Sequence, residues 1–307
     1  MEVGQVIKST GSWYRLRRSD GEEYNGRLAG KIRQTGSRLT NPVVVGDFVD
    51  FQFQETDDAV VIEKVHKRKN YIVRKSPKLS SKYHVLASNL DQAVILFTCA
   101  LPRTSFGFLD RFLITAEAYG IPAIIGINKI DLLDEQGMEE VEAIIETYNN
   151  LGYPSVQFSA LNSEDLSELQ AILKGKLTLL AGHSGAGKST LINRLIPGKD
   201  IKTSYLSEAS GKGVHTTTFA ELHDLPEGGM IIDTPGIREL GIVDMKDAEI
   251  SHYFPEMKEL LGNCKFGDCL HIEEPDCAVR EGFDEGLIAP TRYYSYMSIL
   301  QNEDNRN

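Results

Sequence analysis

The sequence predicts a multi-domain protein in three parts: a small all-β module, an α/β module built on a mostly parallel sheet, and a mostly helical tail. Three observations over the 307 residues carry this prediction. Residues 1–70 hold short β-branched and aromatic runs separated by turn residues. Residues 87–241 alternate apolar, strand-like runs with amphipathic helical stretches. Three of the four cysteines crowd into residues 264–277.

The all-β module expects strands over 4–8, 13–17, 43–53 and 59–65, with Ser19-Asp20-Gly21 and Gly46-Asp47 as turns. A small barrel of the OB type fits that length and pattern. Residues 1–85 hold 16 Lys+Arg against 10 Asp+Glu, a net of +6, whereas the remainder nets −17 within a total of −11. A basic module on an acidic body suggests that the first part meets a polyanion, although a solvated charged surface reads the same way. Trp13, Tyr14, Arg15, Arg17 and Arg18 are candidates for RNA contact. Trp13 could equally be a core residue. Residues 71–86, around the polar KSPKLSSK stretch at 75–82, are expected to be a linker.

The α/β module expects strands over 90–100, 122–127, 155–158, 177–181 and 230–232, and helices over 109–119, 139–149, 163–173 and 188–195. In such sheets ligands bind at the carboxyl ends of the strands. Beyond 241 the strand signal stops. Helical stretches are expected over 244–261 and 291–301, so 242–307 forms the tail. Composition excludes wholesale disorder, with 41% hydrophobic and 25% charged residues. No apolar run reaches the roughly 18 residues needed to span a bilayer. The opening MEVGQVIKST lacks the features of a secretory signal, so a cytoplasmic location is expected.

Four motifs carry chemistry. Gly182-His183-Ser184-Gly185-Ala186-Gly187-Lys188-Ser189, followed by Thr190, follows a strand and opens a helix. Its glycines let the backbone curl around phosphates, with the helix N-terminus adding positive potential. Lys188 neutralises β/γ-phosphate charge, and Ser189 offers a hydroxyl to magnesium. Asp233-Thr234-Pro235-Gly236 places a carboxylate near the same ion and the Gly236 amide near the γ-phosphate. Asn128-Lys129-Ile130-Asp131 is the guanine-reading pattern, since a carboxylate accepts from both N1–H and the 2-amino group. Ser159-Ala160 fits a backbone N–H contact to guanine O6. Together these make a GTP site.

These elements resemble the G-motifs of translation-factor-class GTPases, but their order is NKID, SA, GHSGAGKS, DTPG. The P-loop usually comes first. With a basic β-barrel ahead and a Cys/His cluster behind, the chain is similar throughout to the bacterial ribosome small-subunit-dependent GTPase A family of circularly permuted GTPases. That resemblance implies a GTP hydrolase acting in late maturation of the small ribosomal subunit, contacting its rRNA, with the subunit stimulating hydrolysis and hydrolysis gating release. A non-ribosomal GTP switch binding a protein partner is the alternative. A monomer is expected.

Between the P-loop and DTPG lies GKGVHTTT, residues 211–218. Thr217 is favoured as the switch I ligand to magnesium, with Thr216 and Thr218 as close rivals. Many GTPases orient the attacking water with a Gln after D-x-x-G, but Ile237 stands there and can hold no water. Slow isolated turnover is therefore expected. His215 is a candidate to orient the water. An RNA-contacting or solvent-facing His215, or a group supplied by the partner, remains open. Cys264, Cys269, His271 and Cys277 form a tetrahedral zinc set whose four protein ligands leave no position for substrate, so a structural role is expected. The spacing also matches the zinc motif of the family. Cys99 is expected to be an inert core residue.

Overall fold

The computed structural model describes residues 1–33, 41–54, 57–75, 83–162, 166–201, 220–233 and 245–301. The barrel comprises β1 (Glu2–Ser9), β2 (Tyr14–Arg17), β3 (Glu23–Leu28), β4 (Phe48–Gln54) and β5 (Asp57–Val65), with a short helix α1 (Gly30–Arg33) after β3. β1 pairs with both β2 and β4, which closes the five strands. Val6, Leu16, Val49, Phe51, Val60 and Ile62 fill the interior. Their inward positions alternate along each strand, as the pleat requires. β3 was not expected. Its sequence EYNGRL is polar, and Gly26 supplies no side chain to reveal the buried face.

Residues 43–47 do not extend β4 as expected. They form a junction instead. Val43 packs into the barrel, Val44 against Val73 and Val85, and Val45 into the core of the next domain. The turn that follows needs glycine. Gly46 has φ +93°, and a Cβ there would lie 2.1 Å from the Ser88 carbonyl oxygen. Asp47 is fully buried and accepts from Arg68 Nε at 2.7 Å, Ser88 Oγ at 2.6 Å and the Val44 N–H at 2.9 Å.

The expected linker is also structured where it is described. β6 (Tyr71–Lys75) and β7 (Tyr83–Ser88) pair antiparallel, with Tyr71 opposite Ser88. The polar KSPKLSSK stretch hid the β-branched and aromatic residues on either side of it; residues 76–82 lie outside the described residues.

The α/β domain follows as β8 (Gln92–Phe97), α2 (Phe106–Ala118), β9 (Ala123–Asn128), α3 (Glu135–Asn150), β10 (Ser155–Phe158), α4 (Ser167–Leu173), β11 (Leu177–Gly182), α5 (Lys188–Leu195), β12 (Glu221–Asp224) and β13 (Met230–Asp233). The strand order is β10-β9-β8-β11-β13-β12, parallel except for β12. Apolar residues on both faces of the strands build two cores, one under α2 and α3, the other under α4 and α5. Edge strand β12, not expected from sequence, pairs with β1 through Lys8 and Glu221, so barrel and α/β domain share one 11-stranded sheet.

The tail holds α6 (Asp247–Ile250), a 3-10 turn (Ser251–Tyr253), α7 (Pro255–Lys258), α8 (Ala278–Asp284) and α9 (Pro290–Leu300). The single helical stretch expected over 244–261 is broken at Pro255. Phe254 is extended at φ −100°, ψ 107°, because a residue before proline is pushed out of the helical region. Among the described residues, no helix is long and apolar enough to cross a membrane.

Candidate nucleotide site and metal centre

Sheet register brings the scattered motifs to one edge. Phe158 lies beside Asn128, Phe97 beside Ile127, Leu96 beside Gly182 and Leu180 beside Asp233. The carboxyl ends of β9, β10, β11 and β13 therefore open on the same side, where parallel sheets bind ligands. Asp233 is buried at the end of β13.

The loop from Gly182 to Gly187 curls because three of its glycines have positive φ: Gly182 147°, Gly185 83° and Gly187 99°. Gly187 caps α5 with no side-chain hydrogen bond to the first turn. A helix opening directly behind a glycine-rich loop is the arrangement that receives an anion. Lys188 reaches back over the loop, its Nζ donating to the Gly182 and His183 carbonyls at 2.5 and 2.9 Å. The His183 ring lies on Phe108 of α2, centroids 3.6 Å apart. Ser184, Gly185, Ser189 and Thr190 are half-buried, and Ala186 is buried.

Asn128 joins three of the four nucleotide motifs. Its Nδ2 donates to the Ala186 carbonyl at 2.8 Å, while its Oδ1 accepts from the Lys129 N–H at 2.8 Å and the Ala160 N–H at 2.9 Å. The contact leaves no room for a side chain at Gly187, whose Cβ would meet Asn128 Nδ2 at 2.3 Å. Within the Ser159-Ala160 pair, expected to offer a backbone N–H to guanine O6, the Ala160 N–H is in this structure directed at Asn128. Lys129 takes the left-handed region at φ 67° and donates to the Leu101 carbonyl. Burial lowers its pKa, with Asp131 opposing. Ile130 and Asp131 form a 3-10 turn, leaving the Asp131 carboxylate exposed. Ser159 Oγ accepts from the Asn162 N–H, and the Asn162 amide donates to Asp131 Oδ2, both at 2.9 Å. Leu101 and Asn162 were missed by sequence reasoning, because neither belongs to a motif. His215, Thr216, Thr217, Thr218, Gly236 and Ile237 lie outside the described residues.

The four candidate metal ligands converge. Their ligand atoms all lie within 4.8 Å of one another, with Cys264 Sγ 4.0 Å from Cys277 Sγ, and His271 Nδ1 3.7 Å from Cys264 Sγ and 3.3 Å from Cys277 Sγ. A tetrahedral zinc with ordinary bond lengths separates two sulfurs by about 3.8 Å, and sulfur from nitrogen by about 3.5 Å. The residues therefore fit a metal ion of that size. Backbone at positive φ, His271 at 59° and Asp276 at 55°, turns the ligands inward. The Glu274 carboxylate accepts from the N–H groups of Leu270, Ile272 and Glu273. Tyr293 and Tyr296 of α9 donate to the His271 and Leu270 carbonyls at 2.7 and 2.8 Å. Burial pushes the Cys269 thiol up to about 12 and raises Cys277 as well, so a bound metal must displace those protons. Cys99 is buried elsewhere, its thiol pushed up to about 11 by burial.

The RNA candidates on the barrel divide. Trp13 is 50% exposed, which removes the core reading. Arg15 is exposed with Glu23 3.6 Å from its guanidinium, and Tyr14 is buried in the barrel. Arg17 is held by Glu23 and Asp224, and Arg18 by Glu2, Asp20 and Glu22. Spacing in β2 could not reveal these acidic neighbours.

Comparison with known proteins agrees with the geometry. A family model described as the RsgA GTPase matches residues 65–243, and one described as the RsgA N-terminal domain matches residues 3–61. A protein of Flavobacterium johnsoniae named small ribosomal subunit biogenesis GTPase RsgA is 48% identical over 98% of this chain and 94% of its own length. A Bacteroides fragilis protein of the same name is 46% identical over 98% of this chain and 97% of its own. The crystal structure of YjeQ from Thermotoga maritima superposes with a TM-score of 0.78 at 33% identity, covering 100% of this chain and 99% of that one. YloQ, described as a circularly permuted GTPase, gives 0.75 at 28% identity, covering 100% of this chain and 96% of its own. Three motif loops joined through one asparagine, in permuted order, and matches spanning nearly the whole sequence lead to one conclusion: the chain belongs to the RsgA GTPase family.

Proposed function

We propose that this protein hydrolyses GTP to GDP and phosphate in a cycle coupled to late maturation of the small ribosomal subunit. The observation that carries the GTP reading is Asn128, which binds the P-loop through Ala186 and the SA loop through Ala160. A permuted order of motifs thereby supports one nucleotide site. The names of the relatives, small ribosomal subunit biogenesis GTPases, support the ribosomal part.

In this reading the residue roles follow from charge and position. Asp131 accepts from the guanine N1–H and 2-amino group, while the Lys129 stem packs on the base. Lys188 gives up its loop carbonyls for the β/γ-phosphates. Ser189 and Thr217 would hold magnesium, with the Asp233 carboxylate beside them; a bound magnesium would supply positive charge to the phosphates. The Gly236 amide meets the γ-phosphate. His215 orients the attacking water. The Cys264–Cys269–His271–Cys277 centre holds zinc and organises the tail. Trp13 and Arg15 offer a stacking ring and a cation to rRNA. The chain acts as a monomer in the cytoplasm.

The test is GTP turnover with and without purified small ribosomal subunits. Slow turnover alone and marked stimulation by subunits are expected. Equal rates would remove the ribosomal reading while leaving GTP hydrolysis intact. His215→Ala should keep GTP affinity and subunit binding but lose most of the stimulated rate; an unchanged stimulated rate would refute that role.

A further inference from the structure

We infer that Asn162 is a positioning residue that sets guanine selectivity by locking the Asp131 carboxylate. The inference rests on the reading of Asp131 as the guanine acceptor. A bare carboxylate at an exposed 3-10 turn is free to rotate about its terminal bond, and a pair of donors on a base edge is met only when both oxygens lie in the plane of that edge. In this structure one oxygen is held. The Asn162 side-chain amide donates to Asp131 Oδ2 at 2.9 Å. Asn162 is itself placed by its backbone N–H, which donates to Ser159 Oγ at 2.9 Å. Below this, the Asn128 Oδ1 accepts from the Ala160 N–H, so the loop carrying Asn162 is tied to the same segment that carries Asp131. The three bonds form a short frame between the ends of β9 and β10.

A carboxylate oxygen has two lone pairs, so Oδ2 accepts from Asn162 and still has capacity for the base. The lock therefore costs no recognition. It holds the carboxylate rotation and leaves both oxygens to the paired N1–H and 2-amino donors of guanine. Hypoxanthine presents N1–H but no 2-amino group. One oxygen is enough for it, and a rotated carboxylate still serves. Loss of the lock should thus weaken guanine more than hypoxanthine, which a general loosening of the loop would not do.

The experiment measures GDP and IDP affinities by calorimetry on the full-length protein, which avoids hydrolysis. Asn162→Ala should weaken GDP about fivefold, the scale of a typical net hydrogen bond, and IDP less than twofold. Asn162→Asp should weaken GDP more than Asn162→Ala, because it sets a second carboxylate against Asp131. In an Asp131→Ala background, Asn162→Ala should change neither affinity. Equal losses for GDP and IDP in Asn162→Ala, or no loss at all, would overturn the inference. If Asp131→Ala itself leaves the preference for GDP over IDP intact, the guanine reading of Asp131 fails first. If that preference collapses while Asn162→Ala leaves it unchanged, only the role of Asn162 is wrong.

Discussion

The G domain is gripped on its two sides by different physics. On the barrel side, β12 meets β1 at a sheet edge. One residue pair is in register, Ser9 N–H reaches the Ala220 carbonyl at 3.4 Å, Ile7 and Leu222 share one buried core, and the polar side-chain links are ion pairs. Lys8–Glu221 at 2.8 Å has side chains 38% and 35% exposed; Arg17–Asp224 is similarly open to solvent. On the other side, Arg292 of α9 is fully buried between domains. It donates to Asp110 of α2 at 2.6 Å and to both oxygens of Glu256 at 2.6 and 3.2 Å, and its guanidinium lies 4.5 Å from the Phe254 ring centroid. Burial works against the charge on Arg292, but the Asp110 and Glu256 carboxylates hold its pKa well above the ordinary arginine value. Exposed pairs are screened and contribute little, whereas a buried charge that loses its partners is costly. The buried network therefore ties the tail to α2. The β1–β12 edge is held instead by exposed ion pairs and by Ile7 and Leu222 in the shared core, beside the buried 43–47 junction.

The largest test of this contrast is Arg292→Ala. It leaves the buried Asp110 and Glu256 carboxylates without their cation, and should cost about 3–5 kcal/mol of stability. Arg292→Lys should recover little, since an ammonium cannot meet Asp110 and Glu256 with the same planar fork. Denaturant unfolding measures both. A loss under about 1 kcal/mol in Arg292→Ala would show that the two sides are alike after all.

A second test separates the buried anchor from the metal centre. Tyr293 and Tyr296 tie α9 to the carbonyls of the metal loop, but Arg292 ties α9 to α2 independently. Chelation, or Cys269→Ser, should therefore loosen residues 264–277 before α9 leaves the G domain, and GDP affinity should change less than twofold. Metal analysis and hydrogen exchange on the same samples check this. About one equivalent of zinc is expected in gently purified protein. Less than half an equivalent, with 264–277 still protected, would count against the centre. Simultaneous loss of protection across 264–301 would show that the metal, rather than Arg292, carries the anchor.

What could be read from sequence follows the same divide. The P-loop and NKID stand out in sequence because each is a short run whose backbone and side chains act together, and β11 with α5 frames the first as expected; of DTPG only Asp233 lies among the described residues. The metal ligands were legible because Cys and His spacing is local. The partners of Arg292 were not. Asp110, Tyr148 and Glu256 lie far from it in sequence, and nothing in PTRYYSYMSIL marks the arginine as buried. β3 and β12 were hidden for a related reason. Both are short, carry polar residues, and owe their strand conformation to the strands paired on either side of them. Val43 to Val45 read as a strand because β-branched runs favour one, yet three separate cores claim one valine each. Asn162 lay outside any motif, since its role depends on where Asp131 stands in space.

The smallest effect belongs to the barrel side, and it has a defined pH sign. Burial alone would raise the Glu221 pKa, but its hydrogen bond and ion pair with Lys8 hold it below the ordinary value of 4.5. A carboxylate depressed in the folded state contributes its stability in full above its unfolded pKa, and loses it as pH falls through the folded value. Glu221→Gln should therefore be less stable than the parent by a few tenths of a kcal/mol at pH 6 and low salt, the scale of an exposed pair. The gap should close as pH falls below about 4.5, where the parent's carboxylate also takes up a proton. Added salt at pH 6 should narrow it in the same way. Lys8→Ala should reproduce the loss, and the double variant should cost no more than either single change. A gap above about 2 kcal/mol that persists in high salt would mean that the β1–β12 edge is as firmly held as α9, and the contrast between the two sides of the G domain would be lost.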